Sequence, residues 1–272
     1  MSDIFSLKGK TAVITGAGGL LGPKHAEAII EFGGTAVLTD HNESKVTDAC
    51  RLLNEKYGEG SAIPFYMDVT VKESILYVAD QLEKVDILIN NAAKDPKVED
   101  AEGMTPSSRF EVMTESYWKE GISAALHGTF LCSQVFANKM LDSGAGVIVN
   151  IASCLANIGP DQRIYRQEGL DDSKQNVKPI TYVASKWAVV GMTKYLATYF
   201  ADRGIRVNCL SPTGVWNERI PEHMVAKISS LNPMNRMANA DEYKGAIVFL
   251  CSDASSYMTG TNLIVDGGKT SW

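Results

Sequence analysis

Short apolar runs alternate with longer amphipathic stretches along nearly the whole chain. The runs are strand-sized and rich in β-branched residues, and they predict seven strands, at Thr11–Thr15, Thr35–Thr39, Ala62–Tyr66, Val85–Asn90, Gly146–Ile151, Ile205–Leu210 and Asn262–Val265. The stretches between them have helical periodicity, at Gly22–Phe32, Lys45–Tyr57, Lys72–Leu82, Ser116–Leu141, Tyr182–Asp202 and Asp241–Cys251. Continuously apolar strands that alternate with helices are typical of a parallel sheet buried on both faces. We therefore predict an α/β fold with a doubly wound parallel sheet and helices on both faces.

The 272 residues contain no internal repeat and no composition shift that would mark a linker, so we expect a single domain over residues 1–272. Two irregular stretches interrupt the pattern, at about 155–179 and 216–237. Long loops in compact α/β domains are often functional, and ligands bind at the carboxyl ends of parallel strands. We predict that both stretches are substrate loops.

Charge and composition exclude several partners. The formal net charge is −6 and no lysine- or arginine-rich run is present, which argues against a nucleic-acid partner. No apolar run approaches the roughly 20 residues that span a bilayer, and residues 1–10 lack the apolar core of a signal peptide. The five cysteines are scattered without CxxC spacing, which favours reduced thiols over disulfides or a metal site. We expect a cytoplasmic protein without a membrane partner.

A glycine-rich turn follows the first strand and opens the first helix, in the sequence Thr15-Gly16-Ala17-Gly18-Gly19-Leu20-Leu21-Gly22. Glycines allow a tight turn and a close approach to a pyrophosphate, and the helix amino terminus offers free N–H groups. Gly16, Gly19, Leu21 and Gly22 are the candidate contacts. Such a turn can also be purely structural, but its position between strand and helix favours a dinucleotide site of the Rossmann type.

Asp40 ends the second predicted strand. A carboxylate there is placed to accept hydrogen bonds from the two hydroxyls of an adenine ribose, and it would repel a 2′-phosphate. The alternative is that Asp40 only begins the turn Asp40–Glu43. The spacing from the glycines favours the ribose contact, so we predict NAD as the cofactor, rather than NADP.

Tyr182 and Lys186 lie one helical turn apart and therefore on one face of a helix. A phenol is a poor base at neutral pH, but a neighbouring ammonium group lowers its pKa. Ser153, at the end of the fifth strand, could hold a substrate oxygen beside that phenol. These three residues are the candidate catalytic set, although each alone has a common structural explanation.

Together these motifs resemble the short-chain dehydrogenase/reductase family over nearly the entire chain. The matching segments are Thr15–Gly22, Asp68-Val69, Asn90–Ala93, Ser153, Tyr182 with Lys186, Arg206–Asn208 and Val265–Gly268. The resemblance implies that Tyr182 is the general acid/base, that Lys186 holds the nicotinamide ribose and that Ser153 positions the substrate. It also implies cofactor contacts from Asp68, Val69, Asn91, Ala92 and the backbone of Val215.

The same resemblance implies a homo-oligomer, a tetramer or a dimer, paired through the helices at Ser116–Leu141 and Tyr182–Asp202. Trp187, Tyr195 and Tyr199 would supply apolar contact area, unless they face the sheet. Two segments, Pro160–Tyr165 and Asp253–Gly260, further resemble bacterial oxidoreductases of flagellin-glycan and related sugar biosynthesis, which implies a role in carbohydrate biosynthesis.

The chain departs from the family pattern in the active-site region. Leu20 replaces the middle glycine of the usual turn, and Ala125 stands where the family has an asparagine that supports a proton relay. The segment between Ser153 and Tyr182 is longer than is usual and strongly charged. A charged segment is often only a solvated loop, but both its ends adjoin catalytic residues. We predict that Arg163, with Arg166 as second choice, binds the substrate.

The predicted function is NAD-dependent hydride transfer between the nicotinamide and a secondary alcohol or ketone of a polar metabolite, a sugar derivative or polyol. One alternative, a nucleotide-sugar epimerase or dehydratase, is suggested by the TGxxGxxG form of the turn. Another, a cofactor-binding module with impaired turnover, is suggested by Ala125. The retention of Ser153, Tyr182 and Lys186 argues against the second alternative.

Overall fold

The computed structural model describes residues 3–94 and 106–272. Seven strands form one sheet, and every neighbouring pair is parallel. The strands are β1 (Thr11–Thr15), β2 (Thr35–Asp40), β3 (Ala62–Tyr66), β4 (Ile87–Asn90), β5 (Gly146–Ile151), β6 (Ile205–Pro212) and β7 (Asn262–Val265). Their spatial order is β3-β2-β1-β4-β5-β6-β7, so the direction of winding reverses between β1 and β4. This is a Rossmann-type doubly wound sheet, as predicted, with a crevice at the carboxyl ends beside the reversal.

Helices cover both faces of the sheet. They are α1 (Gly22–Glu31), α2 (Glu43–Tyr57), α3 (Lys72–Gln81), α4 (Glu115–Ile122), α5 (Gly128–Ser143), α6 (Ile180–Phe200), α7 (Glu222–Ser230) and α8 (Lys244–Cys251). One buried apolar cluster includes residues of α1, α2 and α8, and a second includes residues of α3, α5 and α6. The two clusters are the two halves of the core, one on each face.

The prediction that all strands are buried on both faces is wrong for β3 and β7. In β3 only Ala62 is fully buried, while Ile63 and Tyr66 are exposed. In β7, Ile264 is exposed. The reason is their position: both strands lie at the edges of the sheet, where each has only one neighbouring strand.

The single long helix predicted at Ser116–Leu141 is interrupted. A π-helical segment, Ser123–His127, separates α4 from α5. Before it, Gly121 lets α4 pass close to α6, because a Cβ on this glycine would lie 2.6 Å from the Thr181 side chain. The interruption therefore falls where α4 passes the start of α6, and π segments often occur at functional sites.

The two predicted loops differ in character. The stretch 155–179 is irregular, with short 3₁₀ turns, as expected. The stretch 216–237 contains the helix α7, which the prediction missed because nine residues are too few to establish a periodic pattern. No helix in residues 3–94 or 106–272 has both the length and the apolarity to cross a membrane.

Candidate active site

The glycine-rich turn is built for close backbone contact. Gly16 has a φ of +63°, and a Cβ there would lie 2.7 Å from the Cα of Ala92. A Cβ on Gly22 would lie 2.5 Å from the Cα of Ala17. Both positions thus need glycine for the turn to pack against its own chain and against the segment after β4.

The amino terminus of α1 is open toward this turn. The residue before the helix, Leu21, makes no side-chain capping hydrogen bond, and Pro23 is the second residue of the helix. The remaining backbone N–H groups of the first turn are therefore available to an anion, where the helix dipole also favours negative charge. Leu20, the residue in place of the family glycine, is 48% exposed, so its larger side chain points outward without displacing the turn. The arrangement fits the diphosphate of a dinucleotide.

Asn91 fixes the turn from the neighbouring strand. Its Nδ2 donates to the carbonyl of Thr15 at 2.9 Å and to that of Gly16 at 3.0 Å. The hydroxyl oxygen of Thr15 in turn accepts from the backbone N–H groups of Asn91 and Ala92, both at 3.0 Å. The side chain of Asn91 is thus engaged with the end of β1, and its contact with a cofactor stays a prediction.

Asp40 contacts both the turn that follows it and the glycine-rich segment. The side chain is buried, and its Oδ2 accepts a hydrogen bond from the Gly18 N–H at 3.0 Å. Its Oδ1 accepts from the Asn42 N–H at 2.9 Å and lies 3.1 Å from Nδ1 of His41. The carboxylate thus begins the turn and also lies against the glycine-rich segment, where an adenosine ribose would be bound.

Asp68 and Val69 follow β3 on the same side of the sheet. Oδ1 of Asp68 accepts from the backbone N–H and the hydroxyl of Thr70, at 2.8 and 2.7 Å. Val69 is 8% exposed and packs so closely on α5 that a Cβ on Gly128 would lie 2.6 Å from its Cγ2. Both residues are thus held in place at the carboxyl edge of the sheet, and their contact with an adenine ring stays a prediction.

The three candidate catalytic residues come from β5 and α6. Ser153 is buried just after β5, and its Oγ accepts from the Leu155 N–H at 3.2 Å. Lys186 is 4% exposed, and its Nζ donates to the carbonyl of Ile151 at 2.7 Å. The same Nζ lies 5.7 Å from the centroid of the Tyr182 ring. The Tyr182–Lys186 pair therefore meets the end of the strand that carries Ser153.

Sequence reasoning did not single out Lys178. Its Nζ lies 4.0 Å from the Tyr182 ring centroid, closer than that of Lys186. The signal was present in the spacing, because Lys178 precedes Tyr182 by the same interval that separates Tyr182 from Lys186. It was not recognised because Lys178 lies outside the predicted helix.

The two arginines predicted to bind substrate are held by neighbouring carboxylates. Arg163 is 84% exposed at its side chain and bonds Asp161 in bidentate fashion, at 2.8 and 2.7 Å. Nη2 of Arg166 lies 3.2 Å from Oδ1 of Asp172. Arg163 holds the pKa of Asp161 down at about 2 through this pair. To bind a substrate, Arg163 would have to release Asp161, and Arg166 would have to release Asp172.

Val215 lies just beyond β6, half-buried, and forms an isolated parallel bridge with Ala238. Thr213, two residues before Val215, makes two contacts. Its N–H donates to the hydroxyl of Tyr243 at 3.2 Å, and its Oγ1 lies 3.7 Å from Sγ of Cys154. Burial raises the pKa of Tyr243 to about 12, so this phenol stays protonated. The segment after β6 is thereby tied to the segment after Ser153.

Ala125 lies within the π-helical segment and is buried. Its carbonyl accepts a hydrogen bond from the Thr129 hydroxyl at 2.7 Å. His127, two residues further on, is exposed and stacks on Phe130 at 6.3 Å between ring centroids. Any polar relay through position 125 must therefore use its backbone groups, since the alanine side chain has no polar atom.

Comparison with known proteins agrees with this geometry. Residues 10–165 match the family model described as short chain dehydrogenase, and residues 171–270 match the model described as enoyl-(acyl carrier protein) reductase. The chain is 33% identical to a NAD-dependent glycerol dehydrogenase of Listeria innocua, over 98% of this chain and 96% of that protein. It is 32% identical to a D-threitol dehydrogenase of Mycolicibacterium smegmatis, over 98% and 95% of the two chains.

Among solved structures, the fold is similar to a gluconate 5-dehydrogenase from Burkholderia cenocepacia in complex with NADP and tartrate. The TM-score is 0.82 at 28% identity, and the match covers 99% of this chain and 98% of that one. The fold and the site together define a nicotinamide-dependent oxidoreductase. The chain belongs to the short-chain dehydrogenase/reductase family, whose named relatives act on CH–OH groups.

Proposed function

We propose that this protein transfers hydride reversibly between NAD and a secondary alcohol or ketone of a polar metabolite, a polyol or sugar derivative. The observation that carries the proposal is the grouping of Tyr182 and Lys186 at the end of the strand that bears Ser153. The named relatives are dehydrogenases, which supports hydride transfer over epimerisation or dehydration.

In the oxidative direction the Ser153 hydroxyl donates a hydrogen bond to the substrate oxygen, and Tyr182 removes the proton of the substrate hydroxyl. Lys186 stabilises the phenolate electrostatically and binds the nicotinamide ribose. The bound nicotinamide supplies the hydride acceptor. In the reductive direction the Tyr182 phenol returns the proton to the developing alkoxide. The buried position of Ser153 and Lys186 limits water near the reacting atoms and strengthens these interactions.

The preference for NAD rests on Asp40. A fixed, buried carboxylate can accept hydrogen bonds from ribose hydroxyls, while the 2′-phosphate of NADP would meet like charge. The glycerol dehydrogenase relative is NAD-dependent, but the gluconate dehydrogenase structure holds NADP. The family alone therefore leaves the choice open, and Asp40 favours NAD.

A polar substrate is supported by the segment 157–178. Its side chains are largely charged or polar, and many are exposed, so it would give a hydrophilic wall to the site. Glycerol, threitol and gluconate, the compounds in the relatives' names, are all hydroxyl-rich. A place in carbohydrate biosynthesis stays a prediction.

We also propose that the chain assembles as a homotetramer or homodimer. Trp187, Tyr195 and Tyr199 are 50, 65 and 51% exposed, so they do not face the sheet. An exposed row of aromatics on α6 fits a subunit interface.

We propose that the protein is cytoplasmic. All five cysteines are buried and form no disulfide, which is typical of proteins in the reducing environment of the cytoplasm.

The deciding experiment is a substrate screen. Purified protein is mixed with NAD or NADP and with glycerol, threitol, galactitol, gluconate, sugar phosphates or a hydrophobic secondary alcohol, and reduced cofactor is followed by absorbance. We expect turnover with NAD on a hydroxyl-rich compound. Activity only on the hydrophobic alcohol would refute the substrate class, and inactivity of Tyr182→Phe on the same compound is the control for enzyme-specific turnover.

A further inference from the structure

Tyr182 lies between two lysines. The Nζ of Lys178 is 4.0 Å from the ring centroid and that of Lys186 is 5.7 Å from it. Lys186 follows Tyr182 on α6, whereas Lys178 precedes the helix, in the segment that leads into it. The ring of the proposed acid/base is thus close to two ammonium groups, one from the segment before α6 and one from α6 itself.

The backbone of Lys178 is fixed by one side chain. Its N–H donates to Oε1 of Gln162 at 2.8 Å, and its carbonyl accepts from Nε2 of the same residue at 3.2 Å. Pro179 follows as the residue flanking α6, with φ restricted to −67°. This double hydrogen bond and the proline together hold Lys178 in the orientation that brings its ammonium group over the ring.

Among the described residues, other titratable groups lie on the elements that pack against this end of α6. On α4, Lys119 pairs with Glu115 at 2.6 Å, and Glu120 pairs with Lys94. On β6, burial raises the pKa of the Cys209 thiol, near Lys186, to about 12, so it carries no charge. Cys154, His127 and the Asp161–Arg163 pair lie on turns near this end of the helix.

We propose that Lys178 is a positioning residue whose ammonium group, together with Lys186, stabilises the deprotonated form of Tyr182 during catalysis. A cation within about 4–6 Å of a titrating group favours the form with opposite charge. A cation over an aromatic face also interacts favourably with the ring, and more strongly when that ring is a phenolate. In the oxidative direction the proton then passes from the substrate hydroxyl to the phenolate oxygen, and no new bond to Lys178 is formed.

The position of Nζ over the ring distinguishes this role from substrate binding. A lysine that bound a substrate anion would act on affinity for anionic substrates, whereas a lysine that acts on Tyr182 changes the pH at which the phenol loses its proton. The inference rests on the proposed acid/base role of Tyr182, so its test needs one measurement that does not depend on turnover.

The test compares Lys178→Met and Lys178→Arg with Lys174→Met, a control lysine in the same segment. The first measurement is the pH profile of kcat with whichever substrate the screen identifies. We expect Lys178→Met to move the acidic limb up by about one pH unit and to lower kcat near neutrality about tenfold, with recovery at higher pH. Lys178→Arg should keep the wild-type profile, and Lys174→Met should not change it.

The second measurement is the ultraviolet absorbance titration of the protein without substrate. The contribution of Tyr182 is isolated by subtracting the Tyr182→Phe titration in the same background. We expect this phenol to ionise about one pH unit higher in Lys178→Met than in wild type. This readout tests Lys178 even if no substrate in the screen is turned over.

An unmoved ionisation of Tyr182 in Lys178→Met would overturn the proposal. So would a loss of kcat that is uniform with pH, or a rise in KM confined to anionic substrates, which would make Lys178 a substrate contact instead. Thermal melting of each variant separates these results from unfolding. If Tyr182→Phe is fully active, the proposed function fails by itself, and the absorbance titration still decides the effect of Lys178.

Discussion

The carboxylate of Asp40 accepts a hydrogen bond from the backbone N–H of Gly18, with 3.0 Å between Oδ2 and N. This contact joins the end of β2 to the glycine-rich turn after β1, so the two candidate cofactor elements are held in one arrangement. A Cβ on Gly18 would lie 3.1 Å from the same Oδ2, which shows how close the backbone lies to the carboxylate. The proposed site for the adenosine end is therefore preorganised around the Asp40 carboxylate.

The choice of cofactor depends on that charge. Asp40→Asn removes the charge but can keep an oxygen for Gly18, whereas Asp40→Ala removes both. Loss of charged hydrogen bonds to ribose costs about 1.5–3 kcal/mol, so both variants should lower kcat/KM with NAD by roughly 10- to 100-fold and narrow its advantage over NADP. Steady-state kinetics with both cofactors measures this, with the exposed Glu43→Gln as control. Wild-type protein that uses NADP as well as NAD would contradict the prediction.

The proton transfer depends on the phenol. Tyr182→Phe should reduce kcat by about 10²–10⁴-fold while leaving NADH binding intact, because the hydroxyl acts on the substrate. Lys186→Ala should weaken both turnover and cofactor binding. Kinetics combined with NADH fluorescence titration separates the two effects, and Tyr195→Phe, on the exposed side of the same helix, is the matched control. Near-normal activity in Tyr182→Phe would show that another group is the acid/base.

The long segment before α6 is predicted to contact substrate through Arg163. Arg163→Ala should raise KM about tenfold or more and leave NAD affinity unchanged, since a charge-assisted hydrogen bond is lost. Asp161→Asn should lower KM, because it releases the guanidinium from its bidentate pair. Arg166→Ala tests the second choice. Unaltered KM in both arginine variants would leave the segment without a substrate contact.

The oligomeric state depends on the exposed face of α6. Light scattering at micromolar concentration should give the mass of a tetramer or dimer. Tyr195→Glu combined with Tyr199→Glu places charges on that face and should shift the mass toward the monomer. Tyr257→Glu, at a fully exposed tyrosine elsewhere, should not. A monomeric wild-type protein would refute the assembly.

Acid stability depends on His25 of α1. Its side chain is fully buried, and within the described part of the chain neither ring nitrogen has a hydrogen-bond partner. Burial lowers its pKa to about 3, so the unfolded chain binds a proton below about pH 6.5 that the folded chain does not. The contribution of His25 to the free energy of unfolding should therefore be complete above that pH and decline as pH falls toward 3, by roughly 5 kcal/mol in the limit.

Urea unfolding at several pH values measures this decline. His25→Leu should make the free energy of unfolding less dependent on pH between about pH 6.5 and 5. This range lies above the ordinary pKa values of carboxylates. His127→Gln, an exposed histidine, should leave it unchanged. Glu27 contributes only in stronger acid: lysines bonded to it and the Tyr57 hydroxyl overcome its desolvation and lower its pKa to about 2. An equally steep decline in His25→Leu would exclude the buried imidazole as the cause.

Sequence reasoning placed the strands well, because continuous apolar runs have few alternatives in a parallel sheet. The predicted Ala62–Tyr66, Gly146–Ile151 and Asn262–Val265 coincide with β3, β5 and β7. It could not recognise that β3 and β7 are edge strands, since exposure depends on sheet order, which no single segment encodes. It also missed the π segment at Ser123–His127, which becomes visible only where α4 packs against α6.

The sequence by itself determined the chemistry that is available. A glycine turn between strand and helix, an acid at the end of β2, and Tyr182 with Lys186 on one helical face follow from local geometry and spacing. Only the tertiary structure decided which charges meet. The Gln162 amide, 16 residues before Lys178 in the chain, holds the backbone of Lys178 so that its ammonium group lies over Tyr182. The direction of a long side chain depends on contacts between separate segments, which spacing along a sequence does not specify.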